Sequence, residues 1–264
     1  MRKPQPAKVV RSFGKTIAEF CRKIPGGFDV EHIHDLRVAY KKLRSFLRLM
    51  QEDDRSVKMP DDLKVIYRSC GTVRDMQLIL ERLREMKEVV PGFMKGIHHD
   101  LFQAKELLVI DIEDISVSRS VKELVDELPA IVTEEMVGRF IQRKVATIHV
   151  LLLALEHEEE LHAIRKALKD LVYVKKILET ELKFGYAFPE WEDDQKLEDL
   201  TTMLGDLNDQ YIALSFLNEE RIQQAPAEEQ PALQQLLKQW KSQKEQAQLA
   251  AMQEVRSLQD FFRV

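Results

Sequence analysis

Two segments of this chain, 128 residues apart, carry one pattern. IHDLRVAYKKL (Ile33 to Leu43) aligns with LHAIRKALKDL (Leu161 to Leu171), so that His34 falls on His162, Arg37 on Arg165 and Lys41 on Lys169. At the same shift Arg11 falls on Arg139 and Lys15 on Arg143. A second pair, CGTVRDMQLIL (Cys70 to Leu80) and LGDLNDQYIAL (Leu204 to Leu214), aligns at a shift of 134, with Gly71 on Gly205 and Asp75 on Asp209. The six extra residues fit a longer second hairpin. A chain of 264 residues that repeats itself in this way is expected to build one unit twice.

The unit is helical. Only nine glycines and nine prolines interrupt a sequence rich in Leu, Glu, Lys, Gln and Ala, which favours helix nearly everywhere. The breakers predict helices over about 8–23, 29–51 (capped by Asp29), 60 to about 90, and 91–110. Asp111 to Ser120 reads as a linker, leading into a short helix that ends before Pro129. Further helices are expected from Thr133 to the acidic turn Glu156–Glu160, from there to Phe184, over 190–222 after Phe188-Pro189, and from Pro231 to about Phe262. The fold expected is all-α: two pseudo-symmetric four-helix bundles from an internal duplication, residues 1–112 and 133–264, joined by a linker over 113–132.

The repeated helix has two stripes. Ile33, Leu36, Tyr40, Leu43, Leu47 and Met50 follow 3–4 spacing and form an apolar face. His34, Arg37, Lys41, Arg44 and Arg48 follow the same spacing one residue on, about 100° around the helix, with no acid among them. An ordinary solvated face mixes acid and base. If the two copies pack about an approximate two-fold axis, their basic stripes face each other. The cleft between them focuses positive potential while the chain as a whole carries a formal charge of −5. Such a site admits a flexible polyanion and disfavours a wide nucleic-acid duplex. Asp170 opposite Lys42, and Val172 opposite Arg44, thin the second stripe, so the first copy is expected to carry more of the contacts.

Other chemistries find little support. No apolar run approaches the roughly 18–20 residues that cross a bilayer, and MRKPQPAKVVRSFGK lacks the apolar core of a signal peptide. Cys21 and Cys70 sit among apolar residues and read as reduced core thiols of a cytoplasmic protein. His32 and His34, and the adjacent His98 and His99, point apart on a helix, whereas a helix-borne metal pair prefers i, i+4. No Ser–His signature supports nucleophilic catalysis. Gly71 and Gly205 read as close-packing positions, and Trp191 and Trp240 as structural aromatics. The glutamine-rich C-terminal stretch reads as a solvated helix face, because Leu233, Leu236 and Leu237 keep helical spacing.

IHDLRVAYKKLRSFLRLM, GTVRD, LHAIRKALKDLVY with Tyr173, and LGDLND, in that order, resemble the CHAD family, the conserved histidine α-helical domains. The resemblance covers nearly the whole chain. It implies two pseudo-symmetric helical bundles with a basic groove between them that binds inorganic polyphosphate, and an association with polyphosphate granules. The chain has no ExExK strand of the fused triphosphate-tunnel (CYTH) domain that some members carry, so it looks like a stand-alone domain.

The expected function is therefore non-enzymatic binding of polyphosphate, for granule targeting or regulation of polyphosphate metabolism. The candidate ligands are Arg11, Lys15, His34, Arg37, Lys41, Lys42, Arg44, Arg48, Arg68, Arg74, Arg139, Arg143, His162, Arg165, Lys169 and Lys176. Asp75 and Asp209 are candidates for orienting an arginine. No catalytic residue, metal or cofactor is implied, and sulfate or phosphate would be natural surrogates for the ligand. The alternatives are a binder of RNA or of a phosphorylated protein, and a metal-dependent phosphohydrolase.

Overall fold

A computed structural model describes residues 5–186 and 194–258, and among these no strand is present. The helices are α1 (Pro6–Lys23), α2 (Val30–Met50), α3 (Asp61–Arg82), α4 (Pro91–Asp114), α5 (Val117–Asp126), α6 (Glu134–Leu153), α7 (Glu158–Ile177), α8 (Asp194–Phe216), α9 (Glu219–Gln224) and α10 (Gln230–Arg256). Local chemistry sets several starts. Asp29 accepts from the backbone N–H of Glu31 and His32 ahead of α2, and Thr133 accepts from Met136 N–H ahead of α6.

The expected element list needs several changes: α3 ends at Arg82 rather than near residue 90, and α7 is α-helical only to Ile177, with a wider turn over Leu178–Leu182. Most of the stretch read as a linker, Asp111 to Ser120, is helix: α4 runs on to Asp114 and α5 begins at Val117. The chain turns only at Ile115 and Ser116, where the Ser116 hydroxyl accepts from Arg119 N–H and starts α5 afresh. The helix expected over 190–222 is broken at Leu217 and Asn218, and Asn218 caps the separate α9. Phe188, Pro189, Trp191 and Phe262 lie outside the described residues.

Packing follows chain order in both parts. α1 packs on α2, α2 on α3 and α3 on α4; α6 packs on α7, α7 on α8 and α8 on α10. α5 covers α1. The two parts meet directly, α2 against α7 and α6, and α3 against α8. One apolar core runs through both, including Leu43, Phe46 and Leu47 of α2, Phe140 of α6, and Leu168 and Leu171 of α7. A second apolar cluster joins them again at the far end, where Ile79, Leu83 and Phe93 meet Ala213, Leu217, Leu233 and Trp240. At that end the buried Glu229 carboxylate accepts from the N–H of Gly92 (2.6 Å) and Phe93 (2.8 Å), capping α4 from across the molecule. Cys21 and Cys70 are free and buried, and burial pushes the thiols up to about 11 and about 12. The glutamine-rich stretch is α10, which buries Leu233, Leu237 and Trp240.

Candidate functional site

Between the two junctions lies a cavity of about 470 Å³, with α2 and α7 on one side and α3 and α8 on the other. α2 contributes His34, Arg37, Lys41, Arg44 and Arg48, the whole basic stripe. α7 contributes His162, Arg165, Lys166 and Lys169. α3 adds Arg74 and Asp75, and α8 adds Asp206 and Asp209. Among the described residues, eight Lys or Arg side chains face four Asp, counting Asp170, so the lining carries an excess of positive charge in an acidic chain.

The crowding shows in the protonation equilibria. Burial, together with Arg37, Arg165, Arg44 and Lys169, pulls Lys41 down to about 8. Burial and Arg165 lower Lys169, while Glu198 opposes the change. Burial, with Lys166 and Arg165, lowers His162, so the imidazole stays neutral more readily than usual. Burial is the largest cause in each case, and the neighbouring cations add to it, because like charges held together give up protons more easily.

Aromatic rings hold part of this set. Tyr40 stacks on Tyr67 with centroids 4.1 Å apart. The guanidinium carbon of Arg37 lies 4.8 Å from the Tyr67 centroid, and that of Arg44 lies 5.8 Å from both rings. Lys169 sits 5.8 Å from the Tyr173 centroid. The Nε of Arg44 and of Arg165 is buried without a protein partner. A guanidinium steered by a ring face keeps its remaining N–H groups available for oxyanions.

Several candidates lie elsewhere. Arg11 and Lys15 line a different cleft, between α1 and the α4–α5 corner. Arg139 donates to the Glu52 carbonyl (3.0 Å) and to the Glu135 carboxylate, and Arg143 pairs with the almost fully buried Glu52 carboxylate. These two arginines therefore tie α6 to the end of α2. Lys42 and Lys176 are neighbours outside the cavity, near Asp35 and Glu181, and Lys176 lines a small separate cleft on α7. Arg68 is an exposed residue of α3 that does not line the cavity.

The glycines have a different task from the one expected. A Cβ on Gly71 would meet the Nη1 of Arg37, and one on Gly205 would stand 3.7 Å from the Nη2 of Arg165. Gly71 makes room for an arginine, not for a neighbouring helix. Asp170, read as a gap in the second stripe, is buried and accepts from Ser45 Oγ (2.6 Å), Arg48 Nη1 (2.7 Å) and Lys144 Nζ (2.6 Å). It neutralises Arg48 and locks α2 to α7. Asp75 is raised by burial; Arg37 pulls it down and Asp209 pushes it up, so these two acids face each other across the cavity. Neither carboxylate forms an ion pair with Arg37 or Arg165, whose close contacts are with Tyr67 and the two glycines. Among the described residues, no three His, Cys, Asp or Glu side chains are placed to hold a metal ion, and no helix is long and apolar enough to cross a membrane.

Residue spacing missed Lys166, Ser45, Tyr67 and the pair Thr201 and Thr202, all of which line the cavity. Lys166 follows Arg165 directly and breaks the 3–4 rhythm that marked the stripe.

The CHAD domain family model matches residues 11–218. The crystal structure of the CHAD domain from the plant Ricinus communis aligns with a TM-score of 0.68 at 16% identity, covering 98% of this chain and 92% of that one. PptA from Streptomyces chartreusis aligns with a TM-score of 0.68 at 15% identity, covering 96% of this chain and 99% of that one. At these identities the likeness is one of fold. No curated protein sequence matches the chain.

Proposed function

This chain belongs to the CHAD domain family, and on that premise we propose that it binds inorganic polyphosphate, without turning it over, in the cavity between α2–α3 and α7–α8. The observation that carries this reading is the meeting of Arg37, Lys41, Arg165 and Lys169, from segments 128 residues apart, in one cavity of a chain with net charge −5. A flexible chain charged at every phosphate can thread between helices. Donors one helical turn apart, about 5.4 Å, meet successive phosphates along it. The equivalent packing order of α1–α4 and of α6, α7, α8 and α10 supports reading the fold as one duplicated unit with this cavity between the copies.

Binding by several cations makes affinity fall with salt, with a log–log slope of about −0.7 per phosphate contact if single-strand behaviour transfers. The test is a polyphosphate titration at fixed salt of the wild type, Arg37→Glu, Lys41→Glu and Arg44→Glu, with Lys176→Glu and the exposed Lys238→Glu as controls. The three cavity variants bind weakly, and both controls bind as the wild type does. Equal affinities throughout would refute the assignment. Two further outcomes separate the alternatives. Effective competition by RNA would favour a nucleic-acid ligand, although Tyr67 and Tyr173 are committed to protein cations and offer few free rings for bases. Phosphate release in the presence of Mg²⁺ would favour a hydrolase. In the cell, such a protein would serve at cytoplasmic polyphosphate granules.

A further inference from the structure

A cleft of about 840 Å³ lies apart from the cavity. Its floor is apolar, formed by Ala18, Ile112, Ile115 and Val121. Its rim on α1 carries Arg11, Lys15 and Arg22, all exposed, and among the described residues its lining contains no acid. The nearby Glu19 is engaged by Lys23 at 2.6 Å. An apolar floor is a poor match for polyphosphate, which has no apolar part. It suits a protein surface that is both apolar and acidic.

The helix forming the other wall carries such a surface. α4 buries Leu101, Ala104 and Leu108 inward and places Ile112 in the cleft. Its outer face exposes Phe102 (58%), Leu107 (62%) and Ile110 (52%), an unusual concentration of bare apolar side chains on one helix. Phe102, Glu106, Ile110 and Glu113 are spaced 4, 4 and 3, and both glutamates are exposed. Glu113 directly follows Ile112, about 100° around the helix, so the acidic-apolar face adjoins the cleft. Lys15 and Arg22 are seven residues apart, and so are Glu106 and Glu113. Seven residues span about 10.5 Å on either helix, so the two charge pairs share one register.

We propose that this chain forms an isologous dimer, with the α4 outer face of each copy seated against the α1 cleft of the other. In a two-fold dimer each patch is used twice, which requires donor and acceptor surfaces side by side on one protomer. The basic rim of α1 and the acidic-apolar face of α4 meet that requirement. The pairing covers Phe102, Leu107 and Ile110 and gives the unpaired α1 cations their counter-charges. It leaves the phosphate cavity untouched and does not rest on the polyphosphate reading.

The test is sedimentation equilibrium of the full chain without polyphosphate. The wild type is a dimer. Lys15→Glu/Arg22→Glu and Glu106→Lys/Glu113→Lys each place like charges against like, and each raises the dimer dissociation constant about a hundredfold or more. An equimolar mixture of the two variants restores complementarity at both contacts and sediments as a heterodimer. Phe102→Asp, on the apolar side of the contact, also gives monomers. All five substituted positions are exposed, and circular dichroism confirms that each variant is folded. A monomeric wild type, a dimer indifferent to the reversals, or a mixture that stays monomeric would overturn the proposal.

Discussion

Gly71 stands where any side chain would collide with Arg37, whose Nη1 donates to the Tyr67 carbonyl at 3.4 Å. The equivalent Gly205 is looser: a Cβ there would stand 3.7 Å from Arg165 Nη2, an ordinary contact. The two glycines therefore predict different outcomes for one substitution. Gly71→Ala displaces the Arg37 guanidinium, and the loss of a charged hydrogen bond, about 1.5–3 kcal/mol, weakens polyphosphate binding roughly tenfold or more. Gly205→Ala leaves binding unchanged and raises the thermal midpoint, because glycine in a helix costs about 0.5–1 kcal/mol relative to alanine. Titration and calorimetry of both variants check this, and equal effects on binding would count against the assignment.

Lys41 predicts a pH dependence. In the free protein burial and its cationic neighbours hold it at about 8, against an ordinary value of 10.5. A bound polyanion favours the charged form, so binding takes up a proton once the pH exceeds about 8. Affinity then declines between pH 8 and 10 in the wild type and much less in Lys41→Met. Stability moves the other way. The unfolded chain holds the Lys41 proton up to about 10.5 and the folded chain only to about 8, so the unfolded state binds more protons in that window and stability rises with pH across it. The full shift is worth on the order of 3 kcal/mol. Urea unfolding of the wild type and Lys41→Met at pH 7 and pH 10 measures it, and Lys41→Met removes this share of the slope, leaving what the lowered Lys169 and Lys42 contribute.

Glu229 predicts a stability effect far from the cavity. Its buried carboxylate caps the start of α4 through Gly92 and Phe93, where the peptide dipoles favour negative charge. Glu229→Ala leaves the buried Phe93 N–H and the partly buried Gly92 N–H unpartnered, at a cost of about 1–3 kcal/mol for the buried group and less for the other. The urea midpoint falls, and polyphosphate affinity per folded molecule stays the same.

What was legible in the sequence was local. Arg37, Lys41, Arg165 and Lys169 could be read as one site because helical spacing and the repeat both mark them. The breaks at Ser116 and Asn218 are carried by ordinary capping residues, Asn218 ahead of Glu219 and Glu220, and were readable from chemistry already in the sequence. The partners of charged residues were not legible. Arg139 meets the Glu52 carbonyl across 87 positions, and Asp170 meets Ser45 across 125. No local pattern tells a phosphate-binding arginine from one spent on a distant carboxylate. Gly71 was read as a packing position because spacing does not reveal that Arg37 folds back across α3.

Asp170 supplies the last prediction, because it opposes stability to binding. Its carboxylate, 3% exposed, holds Arg48, Lys144 and Ser45 at the α2–α7 junction. Asp170→Asn removes the charge and keeps the shape. Two partly buried cations then lose their counter-ion, at a cost of about 2–4 kcal/mol, below the full penalty because Arg48 retains 34% exposure. The same change frees Arg48 toward the cavity, where it adds one more phosphate donor. Urea unfolding therefore shows a less stable protein, while titration at fixed salt shows tighter polyphosphate binding and a steeper salt dependence. Adding Arg48→Met to Asp170→Asn removes one of the stranded cations. The double variant recovers part of the stability, a non-additive result expected of residues in contact, and loses the gain in binding. Tighter binding that persisted without Arg48 would show that Asp170 acts on the ligand directly rather than by holding this arginine.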